Sequence, residues 1–215
     1  MKMIFSLAIM LFANDCLGQN SDSTTTPFLK GKWISGLSGT ISSGTTISDT
    51  TTQRGFNNNY GINLSTGRFM KDRLLVGAIF NATRQNSTEI IERNAEQLFV
   101  GPLVSYYISK SEQGSLFFSL SPGYSSYLDE IAIVRNGIRQ GEKVKGDGFA
   151  IYFRFGYAYA IHRRILLELG LNITNSWINA ERISFPSNDS SQDKLQLGSL
   201  SFSFGFNVLL DDFFF

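Results

Sequence analysis

His162 is the single histidine of this 215-residue chain, and it stands in a predicted turn beside Arg163 and Arg164. Histidine titrates near neutral pH and is the commonest general acid or base. One copy next to two arginines reads as a solvated turn residue rather than a catalytic one. Zinc sites draw on several Cys or His ligands, and there is no second histidine to supply a pair. Acids gather in the later connections: Glu89, Glu92, Asp129, Glu130, Asp189 and Asp193. Their spacing matches no calcium-binding loop, so they are expected to be solvated. Neither a metal nor an organic cofactor is expected.

Arg154 and Glu168 are the most informative charges. They fall mid-strand on adjacent predicted strands joined by the turn at His162. They share one face and are expected within about one diagonal step of each other. Burying either alone would be costly, whereas a pair could fill a narrow space as a polar plug. An ion path is the alternative role for the same two groups.

The elements that hold these charges alternate with period two, the signature of strands with unlike faces. From Ser199 to Leu210, Phe202, Phe204, Phe206, Val208 and Leu210 share one face, opposite Ser201, Ser203, Gly205 and Asn207. Upstream, Phe149, Ile151, Phe153, Phe155, Tyr157 and Tyr159 alternate with Ala150, Tyr152, Arg154, Gly156, Ala158 and Ala160. Next, Ile165, Leu167, Leu169, Leu171 and Ile173 alternate with Leu166, Glu168, Gly170, Asn172 and Thr174. A soluble sandwich buries its apolar face and turns a charged face to water. Here the second face is small and nearly neutral, as a narrow barrel interior requires. The apolar face, including Phe202, Phe204, Phe206, Ile151, Phe153, Leu167 and Leu169, is then expected to meet lipid. A soluble β-sandwich or lipocalin-like barrel is the competing reading.

Weaker versions of the pattern bring the count to eight. They include Trp33 to Ile41, Tyr60 to Ser65, Leu74 to Thr83 with its parity unassigned, Leu98 to Ile108, and Leu116 to Ser121. Connections alternate short and long. Short ones lie at Met70–Arg73, Lys110–Gln113 and His162–Arg164. Long ones run over 43–59, 85–96, 126–148 and 175–198. Short periplasmic turns and long outer loops are the habit of membrane barrels. Asn136-Gly137 is a strong hairpin signal, so the fifth and sixth strands could run from about Gly114 to Arg135 and back from Ile138 to Ile161, projecting as a β-ribbon, with similar extensions hinted at by Ile90 and Ile91 and by Ile183 with Phe185. Aromatics near strand ends suit interfacial girdles. Trp33, Phe69, Tyr106, Tyr107 and Tyr159 are expected at the periplasmic rim, and Tyr60, Tyr124, Tyr127 and Trp177 at the outer rim.

Composition agrees. Aromatic residues make up 13% and charged residues 17%, and a net charge of +1 gives no field for nucleic acid. Lys2 followed by the apolar run Met3 to Ala13 reads as an export signal, too short to cross a bilayer as a helix. Cleavage after Gly18 would remove Cys16, the only cysteine. Acylation of Cys16 as a lipoprotein is the rival reading, disfavoured by Asp15. The expected organisation is a signal peptide over 1–18, a short periplasmic segment over 19–31 and a barrel over 32–215.

With these strands in place, the chain resembles the small eight-stranded outer-membrane β-barrel proteins, of the OmpX type and the transmembrane part of OmpA. Gly101-Pro102-Leu103-Val104-Ser105-Tyr106-Tyr107 is similar to the fourth-strand segment of the outer-membrane β-barrel domain family. Phe215 looks like the terminal aromatic signal read by the barrel-assembly machinery, although Asp211 and Asp212 interrupt the alternation before it. The resemblance implies an all-β, antiparallel, up-and-down transmembrane barrel in the bacterial outer membrane, after Sec export. It implies outer-membrane lipid and lipopolysaccharide, and the assembly machinery, as partners, with an extracellular protein as a further partner through the loops. Barrel enzymes of this kind carry a histidine toward the outer surface, and His162 is at the other end. The expected role is non-enzymatic, structural or adhesion-like, with a small pore or hydrophobic-ligand conduit as the alternative.

Overall fold

Strands form where the period-two segments lie, and they close on themselves. The computed structural model describes residues 26–48, 55–88, 92–135, 138–162, 164–185 and 187–211. The expected signal peptide and Phe215 lie outside the described residues. Eight strands run in chain order: β1 Trp33–Ser48, β2 Gly55–Lys71, β3 Leu74–Thr88, β4 Glu92–Tyr107, β5 Gly114–Arg135, β6 Ile138–His162, β7 Ile165–Phe185 and β8 Asp189–Leu210. Each pairs antiparallel with its neighbours, and β1 pairs with β8, so the sheet is a closed up-and-down barrel. Closure leaves no open edge across the membrane span, where a sheet in hydrocarbon cannot tolerate one.

The short connections stay short. β2 and β3 are joined by Asp72 and Arg73, with Arg73 at φ 67°, in the left-handed region. The long connections are replaced by strand. β1 to β4 are 15 to 17 residues long, but β5 to β8 are 22, 25, 21 and 22. A tilted strand crosses a bilayer in about 9–11 residues. The surplus on β5–β8 therefore stands as a four-stranded wall beyond the outer rim. The ribbon expected of the fifth and sixth strands is present, with β5 and β6 paired out to Arg135 and Ile138, and the long connection over 175–198 is likewise mostly ladder, because apolar and β-branched residues continue through both segments. β8 pairs with β1 only as far as Leu195. Asp189, Asp193 and Lys194 lie along the next stretch, charges that oppose edge-to-edge pairing.

Facing is set by parity. Outward residues are large and apolar: Leu169 is 41% exposed and Phe204 47% exposed, with Phe202, Phe206 and Phe153 alike. Ile151 and Leu167 share that face and are half-buried. β3 takes the same rule, with Val76 and Phe80 outward and Leu75 and Ile79 inward. Between β4 and β5 the ladder is interrupted from 101 to 103, where the register sets Pro102 opposite Pro122. Neither proline has an N–H to give, so this seam lacks two donors.

Candidate functional site

The interior is the candidate site, and it is built in layers. At the periplasmic mouth the expected N-terminal tail turns inward instead of trailing. Phe28 is fully buried, stacked on Tyr107 with ring centroids 4.1 Å apart and tilted against Phe69 at 6.0 Å. Three backbone bonds hold it there: Arg73 N–H to Phe28 carbonyl (2.8 Å), Gly31 N–H to Phe69 carbonyl (2.8 Å) and Phe69 N–H to Lys32 carbonyl (2.9 Å). The strained Arg73 also donates from Nη1 to the Ile108 carbonyl at 2.8 Å. Ile34, Leu75, Leu166, Leu209 and Phe117 complete this apolar stopper.

Tyr107 is a correction to the expected girdle. It is 2% exposed and faces the lumen, as do Phe69 and Tyr127. Adjacent strand residues point to opposite faces, so Tyr106 and Tyr107 cannot both meet lipid. Tyr106 keeps the outward position, where Arg73 lies 5.4 Å over its ring. Tyr124 and Trp177 are outward and exposed, and Trp33 is half-buried at the periplasmic end of β1.

Above the stopper lie the two buried charges. Arg154 Nη2 donates to Glu168 Oε2 at 2.7 Å, and the side chains are almost wholly excluded from solvent. Tyr107 donates its hydroxyl to Glu168 Oε1 at 3.2 Å, and the Arg154 guanidinium lies 5.0 Å over the Phe117 ring. The pair is farther apart in register than one diagonal step. Arg154 pairs with Asn172 and Glu168 with Ala158, four residues along each strand. The long arginine bridges the difference, with room made by a cross-strand glycine pair, Gly156 and Gly170. A Cβ on Gly156 would meet the Phe117 ring at 2.9 Å, and one on Gly170 would meet Arg154 Nε at 3.2 Å.

Neutral polar groups fill the next level. Asn63 donates to the Tyr152 hydroxyl at 2.8 Å, Ser105 to Ser119 at 2.7 Å, and Asn172 to Ser201 at 3.1 Å. Gln97 reaches across the lumen to Ser125 at 3.1 Å and Ser176 at 2.9 Å. Beyond them a second apolar cluster, with Tyr127, Val144, Ile178 and Leu195 among its members, occupies the outer half. Ion pairs cap it. Arg93 grips Asp129 through Nε at 3.1 Å and Nη2 at 2.9 Å, while Arg182 bonds Glu142 and, at 3.0 Å, Asp193. Asp129 and Asp193 are thus buried partners of arginines, not the solvated acids expected from spacing. Burial opposes the Arg182 charge, but its carboxylate partners outweigh it and hold its pKa above the ordinary value. Burial, then the Asp129 charge, push the Tyr127 hydroxyl up, so it stays a donor to Asp129.

His162 is exposed at the end of β6. Among the described residues, no three His, Cys, Asp or Glu side chains converge as a metal site. No described helix is long and apolar enough to cross a membrane; the strands do the crossing.

A closed barrel with an apolar outer belt, aromatic rims and an interior packed in apolar and polar layers defines a membrane-spanning β-barrel, the architecture of the bacterial outer membrane. Solved structures share the fold. Ail, the attachment invasion locus protein of Yersinia pestis, crystallised with the heparin analogue sucrose octasulfate, aligns at 14% identity and TM-score 0.53, covering 85% of this chain and 100% of that one. The outer membrane protein OprG from Pseudomonas aeruginosa aligns at 14% identity and TM-score 0.52, covering 86% and 99%. The outer membrane protease OmpT from Escherichia coli aligns at 9% identity and TM-score 0.50, covering 83% and 97%. No protein-family profile and no curated protein sequence matches the chain.

Proposed function

We propose that the protein is a sealed, non-enzymatic outer-membrane barrel whose β5–β8 wall presents a surface to extracellular partners. The observation that carries this reading is the filled lumen. Side chains close it at the mouth (Phe28), at mid-height (Arg154 with Glu168, and Gln97) and beneath the outer cap (Arg182 with Asp193). Eight strands enclose a space that side chains can fill, and these layers leave the plug role favoured over an ion path. His162 lies at the opposite end from the wall, which supports a role without acid–base catalysis. Ail is an attachment protein by name, and its fold is the one seen here; the wall gives this chain a surface suited to an adhesion-like role. Planar bilayers test the seal. Purified barrel is expected to pass no steady unitary current at ±100 mV, with a general porin as positive control; reproducible steady openings would overturn the sealed reading in favour of a small pore.

A further inference from the structure

The net charge of +1 hides an uneven distribution along the barrel axis. At the periplasmic mouth the segment before β1 carries Lys30 and Lys32. The β2–β3 hairpin adds Arg68, Lys71 and Arg73, and later turns add Lys110 and Arg164. Against these seven cations stand three described acids, Asp72, Glu112 and Asp211, a net of +4. Outward of the belt the described residues hold eight cations and nine acids, so the excess belongs to one end. Two of the three acids at the mouth are already engaged. Asp72 Oδ1 accepts the Lys30 backbone N–H at 2.8 Å. Asp211, which breaks the apolar alternation after β8, accepts from Arg164 at 3.0 Å and lies 3.7 Å from Lys32. Lys30, Lys71 and Lys110 are exposed and enter no ion pair among the described residues. Each comes from a different connection, and together they surround the mouth that Phe28, Phe69 and Tyr107 close.

We infer that this ring of cations docks the periplasmic end of the barrel on a carboxylate-bearing polymer, the peptidoglycan of the cell wall. A lysine ammonium is a mobile point charge on a flexible stem. Cations set singly around a closed mouth suit a ligand that repeats single charges along a chain, as carboxylates do on cross-linking peptides. A compact phosphate headgroup would call for donors that converge. Each contact is weak, and several made together give avidity. Lys110 lies in the turn beyond Tyr106, the outward rim aromatic of β4, and so on the water side of the girdle. The wall is at the other end, so this surface goes beyond the role proposed above and shares with it only the orientation, with short turns toward the periplasm.

Cosedimentation with purified peptidoglycan sacculi tests it, with the barrel held in nanodiscs of phosphatidylcholine, which has no net charge. Loaded discs should pellet with sacculi at about 50 mM salt, and affinity should fall about tenfold by about 300 mM as screening shortens the reach of each lysine. Lys71→Gln/Lys110→Gln should weaken binding severalfold, and Lys143→Gln/Lys145→Gln, at the other end, should leave it intact. Sacculi whose carboxylates are blocked as methylamides should no longer capture the discs. Capture no better than that of empty discs, unchanged binding by the Lys71/Lys110 variant, or full binding to blocked sacculi would overturn the inference. Equal or stronger capture by phosphatidylglycerol vesicles matched for charge would also overturn it and give the ring to lipid. Orientation is scored apart. Gln113→Cys, in a background lacking Cys16, should react with an impermeant maleimide only after the outer membrane is permeabilised; reaction in intact cells would overturn the orientation along with the docking surface.

Discussion

Glu168→Ala should lower barrel stability by about 3–5 kcal/mol, the cost of stranding a buried charge. The substitution removes both carboxylate oxygens at once. Arg154 loses its 2.7 Å partner and Tyr107 its acceptor. Arg154 Nε already has no hydrogen-bond partner, so the guanidinium is left against the Phe117 ring with little compensation. Equilibrium unfolding by urea from lipid vesicles, followed by tryptophan fluorescence, reads the change. The double variant Arg154→Leu/Glu168→Leu removes the charge problem with its partner and should recover most of the loss. A single variant no less stable than wild type would show that water reaches this layer, and the lumen would not be sealed there.

Phe28→Ala should cost a comparable amount, about 3–5 kcal/mol for truncating a fully buried phenylalanine. Phe28 lies on Tyr107 and against Phe69, and its carbonyl receives the Arg73 amide. Loss of the ring should release the segment from the mouth. Amide exchange at Arg73 and Gly31 should then quicken far more than exchange in the wall of β5–β8. Phe28→Leu, which refills much of the space, should show a smaller effect on both counts. The variant should remain non-conducting, because Arg154 and Glu168 stand above the opened mouth. If the Arg73 and Gly31 amides exchanged as slowly as in wild type, the stopper would not be what holds them.

Much of this fold is legible in the sequence because one face of each strand must be apolar all along the crossing. Phe202, Phe204 and Phe206 display that rule without help from neighbours. The strand count and the short turns follow from the same alternation. The interior is harder to read. Its occupants are chosen by what lies across the lumen, and Phe28, Gln97 and Tyr152 meet partners from distant strands. Tyr107 has the parity of Ser105, opposite Tyr106, and that parity, not its place in a tyrosine pair at a strand end, sets it in the lumen. Phe28 carried no periodic signal, since it precedes β1. The β5–β6 half of the wall is legible in Asn136-Gly137, a hairpin signal between strands that end at Arg135 and restart at Ile138. The β7–β8 half carries only the weak signal of Ile183 and Phe185, because the Asn, Asp, Lys and Glu residues across 175–198 look like loop residues, yet they lie on strands. Arg182 and Asp193 pair only because that wall exists.

Nitroxide labels placed singly at 201 through 206 on β8, in a background lacking Cys16, test the orientation of the apolar face. In lipid vesicles, labels at 202, 204 and 206 should collide freely with dissolved oxygen and hardly at all with a water-soluble nickel chelate. Labels at 201, 203 and 205 should be shielded from both. Alternation of that sign places the phenylalanines in hydrocarbon; phenylalanine positions shielded from oxygen, with their neighbours open to nickel, would mean an apolar core facing inward and would contradict the membrane-spanning barrel.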